Sequence, residues 1–375
     1  MSAPPPPPAR AISSEPKRVL FLHSALSGYF VNSLRYLANG GHRVLVMHYP
    51  VSSLAPFLHE IQTLPGVQFC EVDRLSSAAL RERCLGFDPD IVSVTGWNDQ
   101  RYQWLARRFK RRGRPVLLEL DNPWANTFRQ RLASALYAWR LHRRFTHAWV
   151  AGREQYEFAR RLGFDTHSIL SDLYTADAAQ FGRVRPDYSR TLLFVGRLIA
   201  YKSVDSLYRA FVEVNAQTGN RWRLRVVGVG DLRQQMPDHP AVDFVGFVQP
   251  EALPQEFERA GAFCLPSTRE HWGVVVNEAA AAGLPILLSD GVSSYQRFLI
   301  NNHNGWVYRA DDHASLSLAL RRLFASHTEQ RRIMGDRSRL LAATHTPEHW
   351  VARLLSVLPP NPTTVVIPDL TDSLS

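Results

Sequence analysis

What most constrains this chain is an alternation. From Lys17 onward, short runs rich in Val, Ile, Leu and Phe are separated by segments of helical period: RVLFLHS, then YFVNSLRYLANGG, HRVLVMHY, VQFCEVD, DIVSVTGW, PVLLELDN and THAWVAG. Such alternation argues for parallel βαβ units. Runs as apolar as VLFL and IVSV belong to strands covered on both faces. After the loop-rich SILSDLYTADAAQFGRVRPDYSR the pattern restarts with TLLFVGRL, SVDSLYRAFVEVN, LRVVGVG, VDFVGFV, AFCLPS, a helix through Ala282, and PILLS. At 375 residues the chain exceeds one typical core of ~100–200 residues. The expectation is an α/β protein of two doubly wound domains. We place a disordered Pro-rich tail at 1–16, a first domain at 17–172, a linker at 173–190 and a second domain at 191–345. A C-terminal helix at 346–360 can return to the first domain, and a tail fills 361–375.

Several classes are disfavoured. No apolar run reaches the ~18–20 residues of a bilayer span, and the first residues lack a signal-type apolar core. Cys70, Cys84 and Cys264 show no metal-ligand spacing, so neither a disulfide framework nor a zinc site is suggested, and a cytoplasmic setting fits; no bound cofactor is expected. The net charge is +10, and the whole excess lies between Arg101 and Arg144, where 12 basic residues face only Glu119 and Asp121. Such a block suits nucleic acid, anionic lipid, a phosphorylated substrate or plain solvent. No recognised nucleic-acid motif accompanies it, so no nucleic acid is expected. On a helix through TFRQRLASALYAWRLHRR, Arg129, Arg140, Arg143 and Arg144 form one stripe beside Phe128, Leu132, Leu136 and Trp139. That pattern fits a core face with solvated arginines. It also fits a helix lying in an anionic membrane surface, which would make the protein peripheral on the inner face of a membrane.

Polar groups gather after the strands of the second half. In CLPSTREHWGVVVNEAAAAGLPILLSDG, Ser267–Trp272 read as a loop at a strand's carboxyl end, followed by a helix from Gly273 that Gly283 and Pro285 stop. Ligands of open α/β sheets bind there, and the helix start at Gly273 and Val274 offers free N–H groups. Glu270 sits in the crevice mouth, and Glu278 can face it and accept hydrogen bonds from a polyhydroxyl group such as a ribose. FVGRLIAYKS sets Arg197 and Lys202 after another strand, where two cations could neutralise a diphosphate. VVGVGDL places Gly228 and Gly230 after a third, letting backbone approach a ligand closely. A nicotinamide site is not favoured, because G-x-G-x-x-G needs glycine where Arg233 stands. A lone histidine is more often structural than a ligand, and His23 and His271 are read that way.

Taken together, VGRL with the following lysine, VGVGDL, VDFVGFV and PSTREHWGVVVNEAAAAGLPIL resemble the C-terminal domain of glycosyltransferase family 4 over about residues 186–310. The resemblance implies a GT-B fold, two Rossmann-like doubly wound domains facing a central cleft, and retaining transfer from a nucleotide diphosphate sugar without a metal. It assigns Arg197 and Lys202 to the donor diphosphate, Glu278 to the ribose and Glu270, first acid of the E-x7-E signature, to the transferred sugar. FLHSALSGYFVNSLRYLANGGHRVLVM resembles the family's first strand and glycine-containing loop, with Ser27 and Gly28 near the acceptor and diphosphate. Asp121 stands where many members carry a histidine, and GVSSYQRF lacks the glutamate usual after the next strand. The implied activity transfers a hexose-type unit to a glycan or lipid-linked acceptor in polysaccharide or glycolipid assembly. A nucleotide-sugar epimerase of the same fold and a non-catalytic binding subunit are the alternatives.

Overall fold

Residues 15–50, 64–124, 126–219 and 222–359 are described by the computed structural model, without the side chains of 129, 132, 133 and 135–137. Most of the tail expected at 1–16 and all of that at 361–375 lie outside these residues, as do the side chains of Arg129, Leu132 and Leu136.

The apolar runs form two parallel sheets, as the alternation requires. In the first, β1 (Arg18–His23), β2 (Arg43–His48), β3 (Val67–Glu71), β4 (Ile91–Thr95), β5 (Val116–Leu120), β6 (His147–Val150) and β7 (Ile169–Leu170) are ordered β3-β2-β1-β4-β5-β6-β7. Five helices serve as connections: α1 (Gly28–Asn39), α2 (Ser77–Phe87), α3 (Gln100–Arg111), α4 (Phe128–His142) and α5 (Arg153–Arg161). Successive residues of β1 enter different cores, Val19 and Phe21 on one face, Leu20 and Leu22 on the other, because side chains alternate along a strand. Hence the strand reads as continuously apolar.

After α6 (Ala178–Phe181), the second sheet holds β8 (Thr191–Val195), β9 (Arg223–Val227), β10 (Val242–Gly246), β11 (Ala262–Leu265), β12 (Ile286–Ser289) and β13 (Gly305–Tyr308), ordered β10-β9-β8-β11-β12-β13. Around it stand α7 (Val204–Thr218), α8 (Leu253–Glu258), α9 (Val274–Ala282), α10 (Tyr295–Phe298), α11 (His313–Ala325) and α12 (Thr328–Ala342). In both sheets the strand order reverses beside the first strand, between β1 and β4 and between β8 and β11. These reversals leave crevices at the carboxyl ends of the strands, and the two crevices face one another.

A last helix, α13 (Pro347–Leu355), leaves the second domain and packs on α1 of the first. Its Trp350 is 1% exposed. The ring stacks on Phe21 with centroids 5.9 Å apart and lies 4.8 Å from Trp149, and its Nε1 donates to the Leu173 carbonyl at 2.9 Å. One apolar cluster thereby runs from the first sheet into the second domain.

Candidate functional site

At the reversal of the second sheet, the turns after β8 and β11 meet. Thr268 N donates to the Tyr201 carbonyl at 2.9 Å, and the Lys202 ammonium donates to the Glu270 carboxylate. Lys202 is only 9% exposed, so Glu270 supplies the countercharge that burial of an ammonium requires. Ser267 Oγ also donates to Glu270, at 3.3 Å. The Glu270 backbone is fixed from behind: its N–H donates to Gly291 O at 2.8 Å and its carbonyl accepts from Ser293 N at 3.1 Å. Thus the segment GVSSYQRF holds Glu270 by its main chain. Gly273 has φ +83°, and a Cβ there would stand 3.0 Å from Glu270 Cγ. Arg197 is exposed, its guanidinium donating to Tyr201 Oη at 2.7 Å, and carries no carboxylate partner among the described ion pairs.

Across the cleft, the turn after β1 delivers Ser27 and Gly28 to the start of α1. No acidic side chain occupies the first turn of that helix, which leaves its positive end uncompensated. Gly28 and Glu278 line one cavity of about 510 Å³ together with Tyr29, Asn32 and Asp177. A cavity of that size suits a small ligand. Burial, with the Asp177 charge adding to it, raises the Glu278 carboxyl to about 7. Asp121, after β5, accepts from Tyr174 Oη at 3.3 Å, and the Tyr174 ring meets Tyr29 edge-on at 5.3 Å. Burial lifts the Tyr29 hydroxyl above its ordinary value; Ser27 opposes this by hydrogen bonding, and the charges of Asp121, Glu119 and Glu270 add to the rise.

The structure therefore gathers Lys202 and Glu270 in one ion pair, Gly28 and Glu278 on one cavity, and Asp121 beside Tyr174. Val274 opens α9, half-buried. Gly228 and Gly230 follow β9 and pack against the turn after β8. Cβ atoms there would stand 1.9 Å from Gly196 O and 2.4 Å from Leu198 O, so their requirement comes from the neighbouring turn's backbone. His23 lies inside the first domain, 3.3 Å from Glu119 and stacked on Phe30 at 4.1 Å. Burial pushes the Glu119 carboxyl up, but His23, Ser93 and Thr95 together hold it below its usual value.

Sequence reasoning missed Tyr29, Tyr174, Asn32 and Gln155. Gln155 Nε2 donates at 2.9 Å to both the Asp121 and the His271 carbonyl, joining the two acid-bearing loops across the cleft. Ser293 Oγ to Glu154 at 2.9 Å is a second tie. A Cβ on Gly152 would come 2.5 Å from the Trp272 ring, so α5 starts against the loop after β11. A glutamine on a helix gives no sequence signal of such bridging; Tyr29, directly after Ser27-Gly28, does at least carry a positional one. Among the described residues no three His, Cys, Asp or Glu side chains are grouped so as to hold a metal ion.

Residues 177–341 match the family model described as "Glycosyl transferases group 1". An uncharacterized glycosyltransferase of Methanocaldococcus jannaschii is 33% identical over 131 residues, 32% of this chain and 33% of the relative. Another of Haemophilus influenzae is 25% identical over 200 residues, 52% of this chain and 56% of that one. The chain thus spans from a third to about half the length of these relatives. The crystal structure of HepE of Anabaena in complex with UDP and glucose is similar with a TM-score of 0.71 at 14% identity, covering 91% of this chain and 100% of that one. Likeness at that identity concerns the fold: two Rossmann-like domains facing a cleft, the GT-B architecture.

Proposed function

We propose that the protein is a retaining, metal-independent glycosyltransferase of family 4 type, moving a sugar from a nucleoside diphosphate donor to a glycan or lipid-linked acceptor. The observation that carries this reading is the buried Lys202–Glu270 pair at the reversal of the second sheet, opposite the Ser27–Gly28 turn. The group 1 family match, the likeness to two relatives named as glycosyltransferases and the UDP and glucose of the HepE complex support it.

In this reading Lys202 and Arg197 meet the diphosphate, the first as a point charge and the second through a planar fork. An incoming phosphate competes with Glu270 for Lys202. Released from the ion pair, Glu270 accepts hydrogen bonds from hydroxyls of the transferred sugar. Glu278 holds the ribose hydroxyls as a carboxylate. Positive charge fixed at the leaving phosphate stabilises the transition state by preorganisation; the bond from the anomeric carbon to the phosphate oxygen breaks as the acceptor oxygen bonds to the same face of that carbon, the departing phosphate takes the acceptor proton, and the anomeric configuration is kept. Asp121, ordered by Tyr174, faces the acceptor side. Polysaccharide or glycolipid assembly is the fitting context.

The test is a panel of nucleotide sugars scored by thermal stabilisation and then by transfer. A bound donor raises apparent stability by mass action, about 2.7 kcal/mol at a hundredfold excess over Kd. Product analysis by NMR should show the donor's anomeric configuration, and activity should survive EDTA. Loss of turnover in EDTA with rescue by a divalent ion would replace the cationic clamp by a metal. Release of an isomerised free sugar without acceptor would make the protein an epimerase.

A further inference from the structure

The surface of α4 is unlike that of the other helices. Phe128 is 80% exposed, the most exposed large apolar side chain among the described residues, and Trp139 is 64% exposed. They are eleven residues apart, which at 100° per residue returns to the same face after three turns. Neither ring is core. The Arg143 guanidinium sits 4.5 Å from the Trp139 ring, so the aromatic face is edged by a cation. On neighbouring α3, Trp104 is 39% exposed and carries Arg81 at 4.3 Å from its ring.

The carboxyl ends of α3 and α4 lie close together, the Lys110 ammonium donating to the Phe145 carbonyl at 2.6 Å. Desolvation lowers the affinity of Arg144 for its proton, and the nearby charges of Arg140 and Arg107 lower it further. No carboxylate appears among the described ion pairs of Arg107, Arg108, Arg111, Arg112, Arg143 or Arg144. A face that crowds arginines and leaves two aromatic rings in water is complementary to an anionic, partly apolar surface.

We propose that α4, with the basic edge of α3, docks the first domain on an anionic phospholipid membrane, Phe128 and Trp139 entering the headgroup layer and the arginines pairing with lipid phosphates. Aromatic rings partition to that depth, and a helix with adjoining basic and apolar faces lies in the interface plane. Placement favours lipid over other polyanions. Phe128 follows the Asp121 loop by seven residues, so the docked face begins at the rim of the cleft, where a lipid-borne acceptor would be presented.

The experiment is cosedimentation of the full chain with phosphatidylcholine vesicles containing no or 30% phosphatidylglycerol, in low and high salt. Expected is at least tenfold stronger partition to the anionic vesicles, lost at ~0.5 M salt because screening reaches within ~5 Å. Phe128→Ser with Trp139→Ser, and separately Arg107→Gln with Arg143→Gln and Arg144→Gln, should each reduce partition about tenfold while leaving nucleotide-induced thermal stabilisation as in the parent. That last readout separates failure here from failure of the donor reading. Partition indifferent to lipid charge, or untouched by both variants, overturns the proposal. So does a self-associated chain that becomes monomeric in the Phe128/Trp139 variant, or equal salt-sensitive binding to RNA that survives it.

Discussion

Glu278 shows how much one carboxyl can report. Its folded value of about 7 lies above the ordinary ~4.3 of an unfolded chain. Between those values the folded state holds a proton that the unfolded state has lost, so stability falls as pH rises from about 4.3 to about 7 and is level beyond. Glu278→Gln should remove that slope and be more stable than the parent at pH 8. Nucleotide affinity should run oppositely in the parent, rising as pH passes 7 because ribose hydroxyls donate to the charged form. In the Gln variant it should be flat and weaker by about one to two decades. A pH-independent affinity in the parent would remove Glu278 from the ribose. Glu270 makes a second prediction. Glu270→Gln strands the Lys202 ammonium, at a cost of roughly 1–3 kcal/mol, below the ~3–5 of a fully buried pair. Turnover should collapse, yet a nucleoside diphosphate should raise the melting temperature more than in the parent, since its phosphate restores the missing countercharge. Equal shifts in both proteins would mean that no phosphate reaches Lys202.

Among the elements, most strands were legible because sheets covered on both faces demand unbroken apolar runs, and TLLFV or VLLEL fit little else; β7, two residues long, falls in the stretch that reads as loop-rich. The residues set after strand ends were legible for the same reason. At Gly228 and Gly230 a glycine records that space is needed without saying for what. Here the space is filled by carbonyls of Gly196 and Leu198. The short β13 and helices α11 and α12 were not singled out; GWVY is four residues long and opens on glycine. Helix α13 was legible as a helix, but the weight of its one tryptophan is a matter of packing. Trp350→Ala should cost about 3–5 kcal/mol and, because the cavity opens under Phe21 and Trp149, should expose the first domain to protease before the second. Simultaneous cleavage of both would make the helix a part of the whole rather than of the first domain.

On the scale of the whole molecule, the cleft is held by contacts no sequence pattern announces. Gln155 reaches a carbonyl 116 positions away, and His345 stands 3.2 Å from Asp172. Burial would raise the Asp172 carboxyl, but the hydrogen bond and charge of His345, with Arg297 and Arg353, hold it at about 2. That contribution is complete above about 4 and disappears as pH falls toward 2. Gln155→Met keeps the volume and removes both amide hydrogen bonds. Both domains should remain folded, nucleotide binding should change little, and turnover should fall roughly tenfold as the two acid-bearing loops lose their common tie. An unchanged rate with unchanged thermal unfolding would assign alignment of the loops to the other contacts, such as Ser293 with Glu154.

The path of α13 also sets an order of events during synthesis. Phe21, Phe30 and Trp149 leave the ribosome early, but the helix that covers them ends at Leu355. At about 5–20 residues per second, the interval between β7 and the end of α13 is on the order of ten to forty seconds. The first domain to be made is therefore the last to be closed, and for that interval its nascent form presents an aromatic face to any chaperone that can reach it.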